Sequence, residues 1–378
     1  MPPADSQNSI QSRDLRFDIL KVLGLFCIIL AHVHPPSIIF QLRNFDVPLM
    51  VIISGSVFYL SFRKKDLPFR RYFQKRVIRL VAPVWIFLIM FFVLIGVLFA
   101  AVKEPYPFAC STIFETFLLS GGVESANGSA GFVYIIRVFV LTALVSPYIL
   151  SLYKKLNHET LFLALLTIFY IFYELLLKFI DTIQFSLPGL ENLLKNYLLL
   201  SIPYGCLIGL GIVFTQAKKE FLVKIALFSL GIFLACMGYF LQTSGKLLTT
   251  QIAKYPPTLY YLSYAIFVST LTYLIVDHVL EKYGNHFLAK FERWIHMIVF
   301  ISQSSLWIYL WQSFWVIFWG LVPAHYVPWA NHFVVFFVGV ASLSILTTYW
   351  QKRFFTKMIQ TTSLGQKYPQ IATILFLQ

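Results

Sequence analysis

The sequence predicts an all-α fold, a polytopic transmembrane helical bundle of about ten helices. Three observations predict it. Of 378 residues, 58% are hydrophobic and only 12% charged, about half the roughly 25% with which a soluble domain covers its surface. The apolar stretches are continuous over the roughly 20 residues that an α-helix needs to cross a bilayer core of about 30 Å. They lack the alternation of barrel strands, so helices must satisfy the backbone there. Third, lysine and arginine gather in short segments between the apolar stretches, as topology signals do.

Taken in order, the apolar spans are 17–34, 47–62, 80–102, 132–153, 160–180, 195–216, 222–241, 258–279, 298–320 and 331–350. The first follows a polar tail without signal-peptide character, so it is expected to stay as a signal anchor. The second is short and holds Pro48, Ser54 and Gly55, which predicts a broken or protein-buried helix. With the N-terminus inside, the inner segments hold 22 of the 30 basic residues and the outer ones 6, Arg43 and Lys254 among them. That asymmetry predicts both termini in the cytoplasm and a multi-pass protein of the cell (inner or plasma) membrane. The expected organisation is a cytoplasmic tail over 1–12, a transmembrane domain over 13–353 and a second tail over 354–378. The net charge of +14 sits in inter-helix segments, which predicts contact with membrane lipids and excludes a nucleic-acid partner. Cys27, Cys110, Cys206 and Cys236 are scattered. They predict packing roles, with neither a disulfide framework nor a metal site.

Ionisable groups inside apolar helices cost several kcal/mol, so each is a candidate for function. The first span carries Asp18, Lys21 and His32. Eleven residues advance a helix by roughly 1100°, within about 20° of three full turns, so Lys21 and His32 share one face. Asp18, three residues before Lys21, is placed to pair with it. An imidazole titrates near neutral pH and can take a proton from a hydroxyl, which makes His32 a candidate general base. The plainer alternative is that His32 and His34 mark a helix end before Pro35 and Pro36. His34, two residues on, belongs to another face and is the weaker candidate.

Arg76 and Arg79, spaced i, i+3 at the inner end of the third span, are either topology anchors for anionic lipid or a clamp for a phosphorylated donor. Arg137 sits about one turn inside the fourth span, with Tyr134 placed to pack on it or to bond a substrate. It either lines a cavity or snorkels. In the ninth span Ser305, Tyr309 and Gln312 recur at i, i+4 and i+7, a polar stripe that either joins helices or lines a substrate cavity. Asn127-Gly128-Ser129 matches a glycosylation sequon.

In the order and spacing of these residues the chain resembles the acyltransferase 3 family, polytopic enzymes that O-acylate polysaccharides and related glycans. The resemblance rests on Asp18, Lys21 and His32 in the first helix, Pro48 to Gly55 in the second, and Arg76, Arg79 and Pro83 in the third. The runs YIIRVFVLTALVSP and KYPPTLYYLSY (254–264) look similar to its sugar and exopolysaccharide O-acetyltransferase branch. Two positions depart from the family pattern: Lys21 stands for an arginine, and Gln312 stands where a histidine is common.

The resemblance implies transfer of an acyl group, acetyl from acetyl-CoA, to a hydroxyl of a carbohydrate or lipid-linked glycan, with acyl-CoA as donor substrate and no permanently bound cofactor. It implies His32 as base and Asp18 and Lys21 as a charged pair at the inner end of the same cavity. Arg76 and Arg79 would hold the donor's phosphates, and Tyr134, Arg137, Ser305, Tyr309 and Gln312 would line the cavity. The competing class is a transporter of glycans or lipid-linked sugars, which would show internal inverted repeats; the sequence shows none. Acyltransferases with a histidine four or five residues before an aspartate are excluded, because none of the eight histidines has that spacing.

Overall fold

The computed structural model describes residues 14–64, 68–120, 131–183 and 190–377. The N-terminal tail and the sequon at Asn127 lie outside them. Each apolar span becomes a helix: α1 (Leu15–Ala31), α2 (Asp46–Phe62), α3 (Phe69–Val102), α4 (Val133–Leu156), α5 (Glu159–Asp181), α6 (Ser201–Phe214), α7 (Lys219–Ser244), α8 (Leu259–Lys290), α9 (Ser305–Leu321) and α10 (Phe333–Thr361). Among the described residues nine helices are long and apolar enough to cross a membrane. α1, at 17 residues, is one shorter than the shortest of them. All four cysteines are free thiols.

Three boundaries differ from expectation. The span over 298–320 is two helices, Glu292–Gln303 and α9, parted at Ser304. α10 runs through residue 353 to Thr361, because its polar continuation keeps helical hydrogen bonds beyond the apolar stretch. The segment after it turns back, and Phe376 stacks on Phe355 at 3.8 Å between ring centroids. α2 is unbroken: Pro48 falls in its first turn, where a missing backbone N–H is not needed.

Two apolar cores meet at α1. Phe17, Leu20 and Cys27 join a core shared with α2, α4, α5, α6 and α8. Val22, Leu25, Ile28 and Ile29 join the other, built largely from α3, α9 and α10. α2 and α6 are the most enclosed of the candidate spans. They touch backbone to backbone: a Cβ on Gly211 would stand 2.0 Å from the Ile52 carbonyl oxygen, and one on Gly55 2.3 Å from that of Ile208. Ser56 Oγ donates to the Gly211 oxygen at 2.7 Å. Without a hydrophobic effect between helices in lipid, such close approach and interhelical hydrogen bonding hold them together. This fixes α2 against the bundle.

Candidate active site

Three cavities follow α1. At one end Lys21, Arg76 and Arg79 line a space of about 230 Å³ with Ser305 and Tyr309. Beside it a pocket of about 180 Å³ shares Lys21 and Arg76 and adds Tyr72, Thr142 and Ser146. Toward the other end lies the largest of the three, about 410 Å³, lined by His32, Arg43, Asp46, Lys254, Tyr255 and Gln312 among others. Ile28, Ile135 and Tyr309 are walls of both the first space and the last. The predicted face of α1 is the one used: Lys21, Leu25, Ile28 and His32 all border these cavities, at the i, i+4, i+7, i+11 spacing of one helical stripe. On α9, Ser305, Tyr309 and Gln312 form the facing stripe.

His32 caps the C-terminus of α1, its backbone N–H donating to the Ile29 oxygen at 3.0 Å. The plainer expectation, that it marks the helix end, therefore holds, and the residue still opens onto the largest cavity. Its ring Nδ1 lies 2.8 Å from the Ile28 carbonyl oxygen. A carbonyl can only accept, so Nδ1 carries the proton and the neutral ring keeps its lone pair on Nε2. His34 also lines this cavity. It was assigned to another face by helical spacing, but the helix stops at Ala31 and His34 has a positive φ of 51°, so that spacing does not apply.

Arg76 and Arg79 are exposed and Lys21 is half-buried, and together they form a basic mouth. Asp18 is buried and accepts a hydrogen bond from Ser302 Oγ at 2.5 Å. It lines none of the three cavities, unlike Lys21 three residues on. Arg137 departs further from expectation. It is buried, with its guanidinium packed on the rings of Tyr134 and Tyr197 at 5.2 and 4.9 Å, and it too borders none of the three. The aromatic rings stabilise its charge in place of water. Tyr134 reaches the cavity wall, its hydroxyl 3.0 Å from that of Tyr204, and the Tyr309 hydroxyl donates to the Phe132 oxygen. Gln312 is fully buried, and neither its amide nitrogen nor its amide oxygen has a partner.

The ionic cluster beside His32 was not expected from the sequence. Asp46, at the start of α2, accepts Arg43 Nη1 on one oxygen at 2.7 Å. Its other oxygen accepts the Val47 N–H at 2.8 Å and Lys254 Nζ at 3.2 Å. Lys254 Nζ also donates to Asn44 Oδ1 at 2.9 Å. The three ionic side chains are almost sealed, Lys254 and Asp46 at 3% and Arg43 at 5% of full exposure. The helix N-terminus favours the carboxylate there. Burial pulls the Lys254 ammonium below the usual lysine range, and Asp46 beside it opposes the shift. Arg43 and Lys254 had been counted as outer-loop charges. The buried partner of each lies in this network, with Lys254 some 208 residues from Asp46, so no local pattern announces the contact.

These charges and stripes occupy a chain whose residues 14–350 match the acyltransferase 3 family model, described as an acyltransferase domain. No curated protein and no solved structure matches it. The match spans nearly the whole described bundle, from the start of α1 into α10, and so takes in both the basic mouth and the His32 cavity: the chain belongs to the acyltransferase 3 family.

Proposed function

We propose that this acyltransferase is an integral O-acyltransferase that moves an acetyl group from acetyl-CoA to a hydroxyl of a cell-surface carbohydrate, with His32 as general base. The observation that carries the proposal is the His32 ring. Its Nδ1–H is held by the Ile28 oxygen, so Nε2 is the basic nitrogen, on a residue that borders the largest cavity. Nε2 takes the proton of the acceptor hydroxyl as that oxygen attacks the thioester carbonyl. The carbon–sulfur bond then breaks, and the departing thiolate recovers the proton from the imidazolium. A thioester is already activated, so orientation and one base suffice.

The donor meets the mouth formed by Lys21, Arg76 and Arg79, where guanidinium groups match phosphate geometry. This mouth faces the cytosol, in keeping with the excess of basic residues on that side, and the acceptor enters from the opposite end. Tyr134, Tyr309 and Gln312 border the space between or beside the reactants, and tyrosine rings suit the apolar faces of a sugar. Asp18 supports α1 from behind through Ser302.

The test is the acyl content of surface glycans in a strain lacking the chain, rescued by wild type or by His32→Ala at equal membrane abundance. Wild type restores acylation and the alanine variant does not. Full restoration by His32→Ala removes the assignment.

A further inference from the structure

The His32 cavity carries more positive charge than its described wall can neutralise. Arg43 and Lys254 share one carboxylate, and both oxygens of Asp46 are already engaged. Among the described residues bordering this cavity no other acidic side chain is present, so with Lys254 protonated the cluster retains one net positive charge. The Arg43 Nε–H, itself buried, has no acceptor. Uncompensated charge in such a place costs several kcal/mol, and an orphaned buried donor about 1–3 kcal/mol. Neutral partners are also missing: the Gln251 amide oxygen and both polar atoms of the Gln312 amide have none, and both residues border the same cavity.

From these groups we propose that the acceptor is an acidic sugar, whose carboxylate or phosphate ester is held at Arg43 and Lys254 while its hydroxyls bond the amides of Gln251 and Gln312. This rests on the acyl-transfer reading above and names its acceptor class. The assembly divides the labour between two anion sites. Arg76 and Arg79 serve the donor at one end, and Arg43 with Lys254 serves the acceptor at the other. A neutral glycan satisfies the amides and leaves the charge unmet. An anion placed there also sets the register of the sugar relative to His32, so that one hydroxyl is presented to the base.

The experiment uses the full chain in lipid nanodiscs, acetyl-CoA as donor, and glycan isolated from the strain that lacks the chain. That glycan is offered untreated, carboxyl-reduced, or freed of phosphate esters. Removing the relevant anion raises the acceptor KM about tenfold or more. If carboxyl reduction does so the anion is a carboxylate; if phosphate removal does so it is a phosphate ester. Arg43→Gln brings the untreated and stripped glycans to the same KM, and Arg43→Lys keeps part of the difference. Equal use of all three forms overturns the inference, as does an Arg43→Gln defect in kcat that is the same for every form. No acetyl transfer to any form overturns the acyl-transfer reading itself.

Discussion

The carbonyl oxygen of Ile28 holds Nδ1 of His32 at 2.8 Å, one helical turn away on α1. The same Ile28 forms part of the wall between the basic mouth and the His32 cavity. The residue that fixes the imidazole tautomer thus also lines both cavities, which on the proposed reading receive donor and acceptor. A change of side chain at Ile28 leaves the backbone acceptor in place. Ile28→Ala should therefore preserve the His32 tautomer while enlarging the passage, and altered acyl-chain preference at retained activity is the expected outcome in a panel of acyl-CoA donors.

Arg76 and Arg79 are exposed and line the mouth, so on the proposed reading they act on binding of the donor before chemistry. Arg76→Ala and Arg79→Ala should each raise the KM for acyl-CoA by about tenfold, the scale of one charge-assisted contact to phosphate. kcat should change little, and the effect should shrink as salt rises. Initial rates at two ionic strengths check this; an unchanged KM reduces both residues to topology anchors.

Asp46 holds two buried cations. Asp46→Asn strands Arg43 and Lys254 together and should cost about 3–5 kcal/mol, the scale for breaking a buried ion pair from one side. Asp46→Asn combined with Lys254→Met removes one of the stranded charges and should recover part of the loss. Unfolding of the purified protein in detergent measures both.

Gln312 separates fold from function. Its amide has no protein partner, so Gln312→Leu removes an unsatisfied group and should leave stability unchanged or slightly raised. Acceptor KM should nevertheless rise. A loss of stability with unaltered acceptor use would contradict the assignment.

Close packing of α2 on α6 gives a fifth test. Gly211→Ala places a methyl against the Ile52 carbonyl and should destabilise by about 1–3 kcal/mol, the usual scale of overpacking. Gly231→Ala, where nothing lies within 4 Å, should be neutral. Thermal unfolding of the two variants side by side checks the contrast.

The helical architecture was legible because lipid imposes one simple rule, a long apolar run for each crossing, and every run is helical, the one over 298–320 as two helices parted at Ser304. The Lys21–His32 face was legible for a similar reason, since helical periodicity carries a spacing of eleven residues into space without tertiary information. Ser305, Tyr309 and Gln312 were legible on the same ground. The rule fails where the helix does: His34 lies past the end of α1, and its position follows from a left-handed turn. For Arg137 the packing of Tyr134, three residues before it on α4, was legible from helical spacing, whereas Tyr197 comes from another element and was not. The Arg43–Asp46–Lys254 cluster was least visible. Each basic residue sits between apolar runs, where surface loops are expected, and only tertiary packing brings Lys254 beside Asp46.

The most direct measurement is acyl transfer by the purified chain from labelled acetyl-CoA to glycan, comparing wild type with His32→Ala, together with acetyl-CoA affinity for each. Loss of the general base predicts a kcat lowered by about 10²- to 10⁴-fold with donor affinity unchanged. A His32→Ala enzyme that keeps wild-type kcat would contradict the account.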